Sequence, residues 1–269
     1  MQIIIDGNTQ ITVEVPTIHA GTDNGLTFGD REFNGLLDDI YLFRQPLDTI
    51  DLALIATPPA TLVGKWTFSE HAGDESPDLS GHENHARFFG KPTWLGEGIN
   101  GASISFGDHQ SYGEIKRPVK NDFTISFWIK TTQNGPGRPW NEGPWLVNGE
   151  MPGDTDDFGT SISDGRFVFG TGAPDTSVTS KTRINDGLWH NCVATRQKAT
   201  GRINVYIDGK PEGSVTAGKS SLTAPEFLRL GSTGDHHFSG ALSGLEIYDG
   251  MLNDAEIASL YQKQLPAIK

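Results

Sequence analysis

The chain has 269 residues, 34 acidic against 21 basic, for a formal net charge of −13; this excludes a nucleic-acid binder that works by displacing counterions, and argues against an anionic membrane surface. Apolar residues make up 35% and charged ones 20%, which excludes intrinsic disorder. No apolar run approaches the ~18 residues of a membrane helix, and 33 glycines and 15 prolines without a collagen period indicate many short strands joined by turns.

In chain order, the first elements belong to a long-period repeat. Ile3-Ile4-Ile5-Asp6-Gly7 matches Val205-Tyr206-Ile207-Asp208-Gly209, and Leu26-Thr27-Phe28-Gly29 matches Leu228-Arg229-Leu230-Gly231 at the same offset of 202. Phe33 to Leu37 matches Phe238 to Leu242 at an offset of 205, and Leu47 to Ile55 parallels Leu252 to Leu260. Residues 1–57 therefore read as the C-terminal part of a first domain, 58–61 as a Pro-rich linker, and 62–264 as a complete second copy. A few strands alone cannot bury a core. The expectation is thus a fragment of a longer multidomain chain; the alternative is that residues 1–57 dock on the full copy. Met1 to Gly7 has no export signal, and one would then lie upstream.

The next elements alternate with a period of two. Ile104 and Phe106 oppose Ser103 and Ser105; Phe123, Ile125, Phe127 and Ile129 oppose Thr124, Ser126, Trp128 and Lys130. Phe167 and Phe169 follow, opposed by Arg166, and Ile203, Val205 and Ile207 oppose Asn204 and Tyr206. Turn signals at Asp164-Gly165, Asn185-Asp186-Gly187 and Asp208-Gly209 separate them. Cys192, the single cysteine, lies on the alternating stretch Trp189 to Ala194 and reads as a buried, inert thiol. Helical period occurs once, in Asn253 to Tyr261, with Asn253 as N-cap, Glu256 three residues on, and Ile257, Leu260 and Tyr261 as the apolar stripe. The predicted fold is all-β, two antiparallel sheets packed face to face with one short C-terminal helix.

Several stretches, taken in order, resemble the laminin-G-like, concanavalin-A-like jelly-roll family of bacterial extracellular proteins. They are Trp66 to Glu70, Asp78-Leu79-Ser80-Gly81-His82-Glu83-Asn84, Gly98 to Phe106, Phe123 to Lys130, Gly187 to His190, Val205 to Gly209 and Phe238 to Leu252. The resemblance implies a jelly-roll sandwich that binds ligands, commonly glycans, as an appendage of larger secreted enzymes or adhesins. It also implies calcium near the Asp78 loop, held by Asp78 and Asn84 with an acidic residue on a late strand; the partial copy has Asp38-Asp39 there, the full copy Ser243-Gly244.

Catalytic residues are expected to be none. The Glu-x-Asp-x-Glu strand of β-glucan-hydrolysing relatives and the Gln-Ile/Val-His strand of alginate-lyase relatives are both missing from the sequence. Asp154-Thr155-Asp156-Asp157 reads as a solvated loop or a cation site, and Glu142 and Glu150 have no identified partner. His71, His82 and His85, and the His236-His237 pair, lack a zinc-ligand spacing, and His190 reads as structural. For ligand binding, the stiff loop Gln133 to Trp145 offers Arg138, Trp140 and Asn141; Trp140 reads equally as a sugar platform or a core plug, and Trp145 as a core cap. The polar strand faces add Trp128, Arg166 and Tyr206, with Lys130, Asn204 and Arg229 beside them, as a groove or an ordinary solvated face. The expected function is a non-catalytic carbohydrate-binding or adhesion module, extracellular or at the cell surface. Its partners would be a polysaccharide or glycan and neighbouring domains of the same parent chain, with no nucleic acid and no membrane insertion. A polysaccharide-degrading enzyme and a structural spacer are the alternatives.

Overall fold

The computed structural model describes residues 2–5, 8–12, 59–107, 109–153 and 156–265. The chain divides into two compact units, Met1–Thr57 and Pro58–Lys269. In the first, β1 (Gln2–Ile5) and β2 (Asn8–Thr12) form an antiparallel hairpin with Ile5 opposite Asn8. The remaining repeat segments of that unit, from Leu26 to Ile55 and including Asp38-Asp39, lie outside the described residues.

The second unit is a sandwich of two antiparallel sheets. The first sheet contains β4 (Glu75–Ser76), β5 (Ala86–Phe89), β8 (Tyr112–Lys116), β10 (Trp145–Asn148), β11 (Phe158–Ser163), β12 (Arg166–Thr171), β13 (Thr176–Arg183) and β17 (Phe227–Leu230). Its spatial order is β13-β12-β11-β10-β17-β8-β5-β4. The second contains β3 (Thr61–Trp66), β6 (Thr93–Leu95), β7 (Ser103–Phe106), β9 (Phe123–Thr131), β14 (Trp189–Gln197), β15 (Arg202–Ile207), β16 (Lys210–Thr216) and β18 (Gly240–Asp249). Here the order is β16-β15-β14-β9-β18-β7-β6, with β3 also on β18. The hairpin β15–β16 sets Ile207 opposite Lys210, the same pairing as Ile5 with Asn8 in β1–β2.

The apolar side of each strand meets its counterpart between the sheets. Phe123 and Phe127 of β9 pack on Phe158 and Phe167 across the core, with ring centroids 4.7 and 5.8 Å apart. Cys192 is buried in this core, and burial pushes its thiol well above the usual range, as an inert packing residue requires.

The helix α1 (Asp254–Gln264) forms where the capping pattern predicts. Asn253 Oδ1 accepts the backbone N–H groups of Ala255 and Glu256, both at 3.0 Å, while Glu256 Oε2 accepts the Asn253 N–H at 2.7 Å. Ile257 sinks into a second small core with Val193, Tyr206 and Leu252. α1 therefore lies over the outer face of the second sheet. Among the described residues no helix is long and apolar enough to cross a membrane.

Candidate functional site

Two coverings decide which polar surface stays open. The first is α1. Trp128 is 1% exposed, its ring stacks on Tyr261 at 5.6 Å, and its Nε1 donates to Gln264 Oε1 at 2.7 Å. Tyr206 is also buried, and its hydroxyl donates to Asp254 Oδ1 at 2.8 Å. The expected groove along Trp128 and Tyr206 is thus corrected: the helix the sequence foretold closes that face. Arg166 lies on the other sheet, where its Nε donates to Lys181 O at 3.2 Å, so it cannot line a groove with them.

The second covering is the loop 132–144, which crosses the outer face of β11 and β12. Gly135 and Gly143 press on the Ile162 carbonyl, and the indole of Trp140 lies on Gly170, where a Cβ would fall 2.0 Å from Trp140 Cδ1. Trp140 is 0% exposed, so the platform reading is corrected to a plug. Arg138 remains outside and pairs with Glu142 at 2.8 Å. The backbone carbonyl of Asn141 accepts from Trp145 Nε1 at 3.1 Å, and Trp145 stacks on His236 at 4.6 Å. The loop brings Arg138, Trp140 and Asn141 near one another, but as a cover with no open aromatic face.

The uncovered half of the first sheet, β17-β8-β5-β4, carries a different set of residues. Cross-strand register aligns Glu75, Arg87, Glu114 and Arg229 in one row of alternating charge, which ends on Asn148 of β10. A parallel row sets Phe89 opposite Tyr112, their rings stacked at 4.9 Å, and a third sets Phe227 opposite Lys116. The Arg229 guanidinium lies 5.0 Å from the Tyr112 ring centre and 3.7 Å from Glu114 Oε1. Phe89 and Phe227 are 41% and 40% exposed, unusual for phenylalanine on a strand face. Of these side chains Glu75, Arg87, Phe89, Glu114, Lys116 and Phe227, together with Glu83, Asn84 and His85, line an open groove of about 460 Å³, and Tyr112 and Arg229 stand beside it on the same face. Of this set the sequence reading named Arg229 alone as a face candidate. The missed signal was an aromatic on the polar side of an alternating strand: Phe89 after Phe88, Tyr112 before Gly113, Phe227 before Leu228.

The Asp78 turn builds one wall of this groove. Asp78 Oδ1 accepts the backbone N–H of Lys65 (2.9 Å) and Ser80 (2.8 Å), and Oδ2 accepts Ser80 Oγ (2.9 Å) and the Asn84 N–H (3.2 Å). Burial alone would raise its pKa, but these donors hold it below the usual carboxylate value. Asn84 pairs with β8 as a strand would: Oδ1 accepts the Lys116 N–H at 3.0 Å and Nδ2 donates to Lys116 O at 2.8 Å. The side chains expected to hold calcium therefore have their oxygens filled by protein donors and do not fit that ion. They fix a turn. Among the described residues, no group of three His, Cys, Asp or Glu side chains is placed to hold a metal.

The acidic stretch after β10 is described from Asp156 onward and at Glu150; Asp154 and Thr155 lie outside the described residues. Burial and the neighbouring Asp157 push Glu150 up to about 7, and burial also raises Asp157. His190 stands between Asp208, at 2.9 Å, and Asp186, at 3.2 Å.

A family model described as the concanavalin A-like lectin/glucanases superfamily matches residues 101–258. Among solved structures, domain 4 of AbnA, an extracellular arabinanase from Geobacillus stearothermophilus, superposes with a TM-score of 0.63 at 20% identity, covering 76% of this chain and 99% of that one. The binding domain of Paraclostridial Mosquitocidal Protein 1 gives 0.60 at 18% identity, over 76% and 52%. The binding domain of Botulinum neurotoxin DC gives 0.61 at 14%, also over 76% and 52%, so the chain spans about half of these toxin domains. At these identities the likeness is one of fold. No curated protein matches the sequence.

Proposed function

The chain belongs to the concanavalin A-like lectin/glucanases superfamily, and we propose that its second unit is a non-catalytic carbohydrate-binding or adhesion module of a larger secreted or surface protein. One observation carries this reading: the open rows Phe89–Tyr112 and Glu75–Arg87–Glu114–Arg229 on adjacent strands. A sugar ring presents C–H bonds on its face and hydroxyls at its rim. The aromatic row matches the face, and planar carboxylate and guanidinium groups at strand spacing match paired hydroxyls. The row rests on paired strands, so little ordering entropy opposes binding. In support, the arabinanase domain was solved with arabinotriose, and a related botulinum toxin is described as interacting with gangliosides. Neighbouring domains of the parent chain would raise the strength of weak single contacts by tethering.

Affinity electrophoresis across a panel of polysaccharides tests the site. Tyr112→Ala and Phe227→Ala are each expected to weaken retention about tenfold, a factor worth about 1.4 kcal/mol. Unchanged retention in both variants would remove the groove from consideration. Within the charged row, the hydrolase alternative would draw on Glu75 and Glu114, two strand spacings (about 9.6 Å) apart. Sustained release of reducing ends, abolished by Glu114→Gln, would establish it in place of binding.

A further inference from the structure

The three cross-strand rows on the open strip differ in charge. The middle row, Glu75–Arg87–Glu114–Arg229, alternates two acids with two cations and sums to zero. The Phe89–Tyr112 row carries no charge. The third row sets Phe227 opposite Lys116. Continuing the β5–β8 register past Phe89 with Tyr112 and Arg87 with Glu114 brings His85 beside Lys116 on its other side. Asn84 holds that alignment, because its side-chain amide pairs with both backbone groups of Lys116. Among the described residues no acid belongs to this row, and Lys116 forms no ion pair. Glu114, two residues along β8, is engaged with Arg229 instead. His85 Nδ1 accepts the Asp78 N–H at 3.1 Å, which puts the hydrogen of the neutral ring on Nε2. The row thus offers one apolar face, on a Phe227 ring that is 40% exposed, and two donors without an acceptor.

Resting on the glycan reading above, we propose that the groove selects a polysaccharide that carries uronic acids, one acidic ring lying on Phe227 with its carboxylate taken by Lys116 and His85. A ring on Phe227 directs its exocyclic group toward the next strand, about 4.8 Å away, where Lys116 stands. A carboxylate only accepts, so it satisfies both donors, and a charged pair makes the stronger hydrogen bond. The hydroxymethyl group of a neutral sugar brings instead a hydrogen for which this row has no acceptor. Glu83, exposed on the turn two residues before His85, lines the same groove and opposes an anion there. One uncompensated lysine in a chain of net charge −13 suits isolated carboxylates among neutral rings and not a densely sulfated polymer.

The test is affinity electrophoresis of the full chain in glucuronoxylan and in gum arabic, each native and after reduction of its carboxyl groups to hydroxymethyl, with dextran sulfate and the neutral polysaccharides alongside. Native polymer is expected to retain wild type about tenfold more strongly than its reduced form. Lys116→Met abolishes that preference, Lys116→Arg keeps it, and Glu83→Gln enlarges it. All three side chains are exposed on the surface, and an unchanged Tm in each variant separates a lost preference from a lost fold. Equal retention by native and reduced polymer, or a preference that survives Lys116→Met, overturns the inference and leaves the glycan reading standing. Dextran sulfate held as strongly as the native polymers overturns it as well, by assigning the groove an unselective attraction for anions. Retention by no polymer, acidic or neutral, removes the glycan reading together with it.

Discussion

Trp140 and Phe89 show that the chemistry of a side chain and its availability are separate properties. Trp140 has a Gly- and Pro-rich loop around it, yet Gly170, lacking a Cβ, leaves a hollow that its indole fills completely. Phe89 sits on a strand, yet among the described residues none covers its ring, which stays 41% exposed. His190 is a residue whose surroundings set a measurable response. Its hydrogen bond to Asp208 raises its pKa, against the opposing effect of burial, and Asp186 adds to the rise. The folded state therefore holds the proton more tightly than the unfolded one. That stabilisation is complete below a pH of about 6.5 and disappears as pH climbs through the folded value. Urea unfolding between pH 5.5 and 8.5 is expected to show wild type exceeding His190→Gln by a margin that shrinks toward alkaline pH. A margin constant across the range would assign His190 a packing role only.

At the scale of the element, α1 decides which sheet face is lost to solvent. Its buried stripe is carried by Ile257, with Tyr261 on Trp128. Ile257→Ala is expected to cost about 2–4 kcal/mol in urea unfolding, the usual loss for deleting a buried branched side chain. Asn253→Ala should cost about 1 kcal/mol, by leaving helix N–H groups without their acceptor. Loosening the helix also wets Trp128, so the Ile257→Ala fluorescence maximum should move to the red; an unchanged maximum with unchanged stability would mean that the helix is not what seals this face. The loop 132–144 acts in the same way on β11 and β12. Between them, the two coverings leave β17-β8-β5-β4 as the open strip.

For the whole molecule, the divide between Met1–Thr57 and Pro58–Lys269 carries its own prediction. The hairpin β1–β2 repeats the pairing of β15–β16, and we propose that residues 1–57 are the end of a preceding copy and 62–264 a domain that folds alone. A chain of residues 58–269 is then expected to unfold in one cooperative step, with the midpoint of the corresponding transition in the full chain. A broad or strongly lowered transition would show that residues 1–57 contribute to its core. The net charge of −13 over the whole chain disfavours adhesion to nucleic acids or anionic membranes.

Alternation along each strand determined the two-layer architecture, because apolar residues every second position leave one face that only another sheet can cover. The pattern Asn253-x-x-Glu256 determined the helix, because its capping bonds are local and need no partner from elsewhere in the chain. The burial of Cys192 was legible for a related reason: it belongs to a continuous alternating stretch. The site was not legible in this way. Phe89 and Tyr112, or Arg87 and Arg229, become neighbours only through strand register, and Trp128 and Tyr206 are closed off only because α1 folds back over them. The tertiary structure alone decides such matters, since a polar strand face has the same sequence whether water, a loop or a helix lies against it.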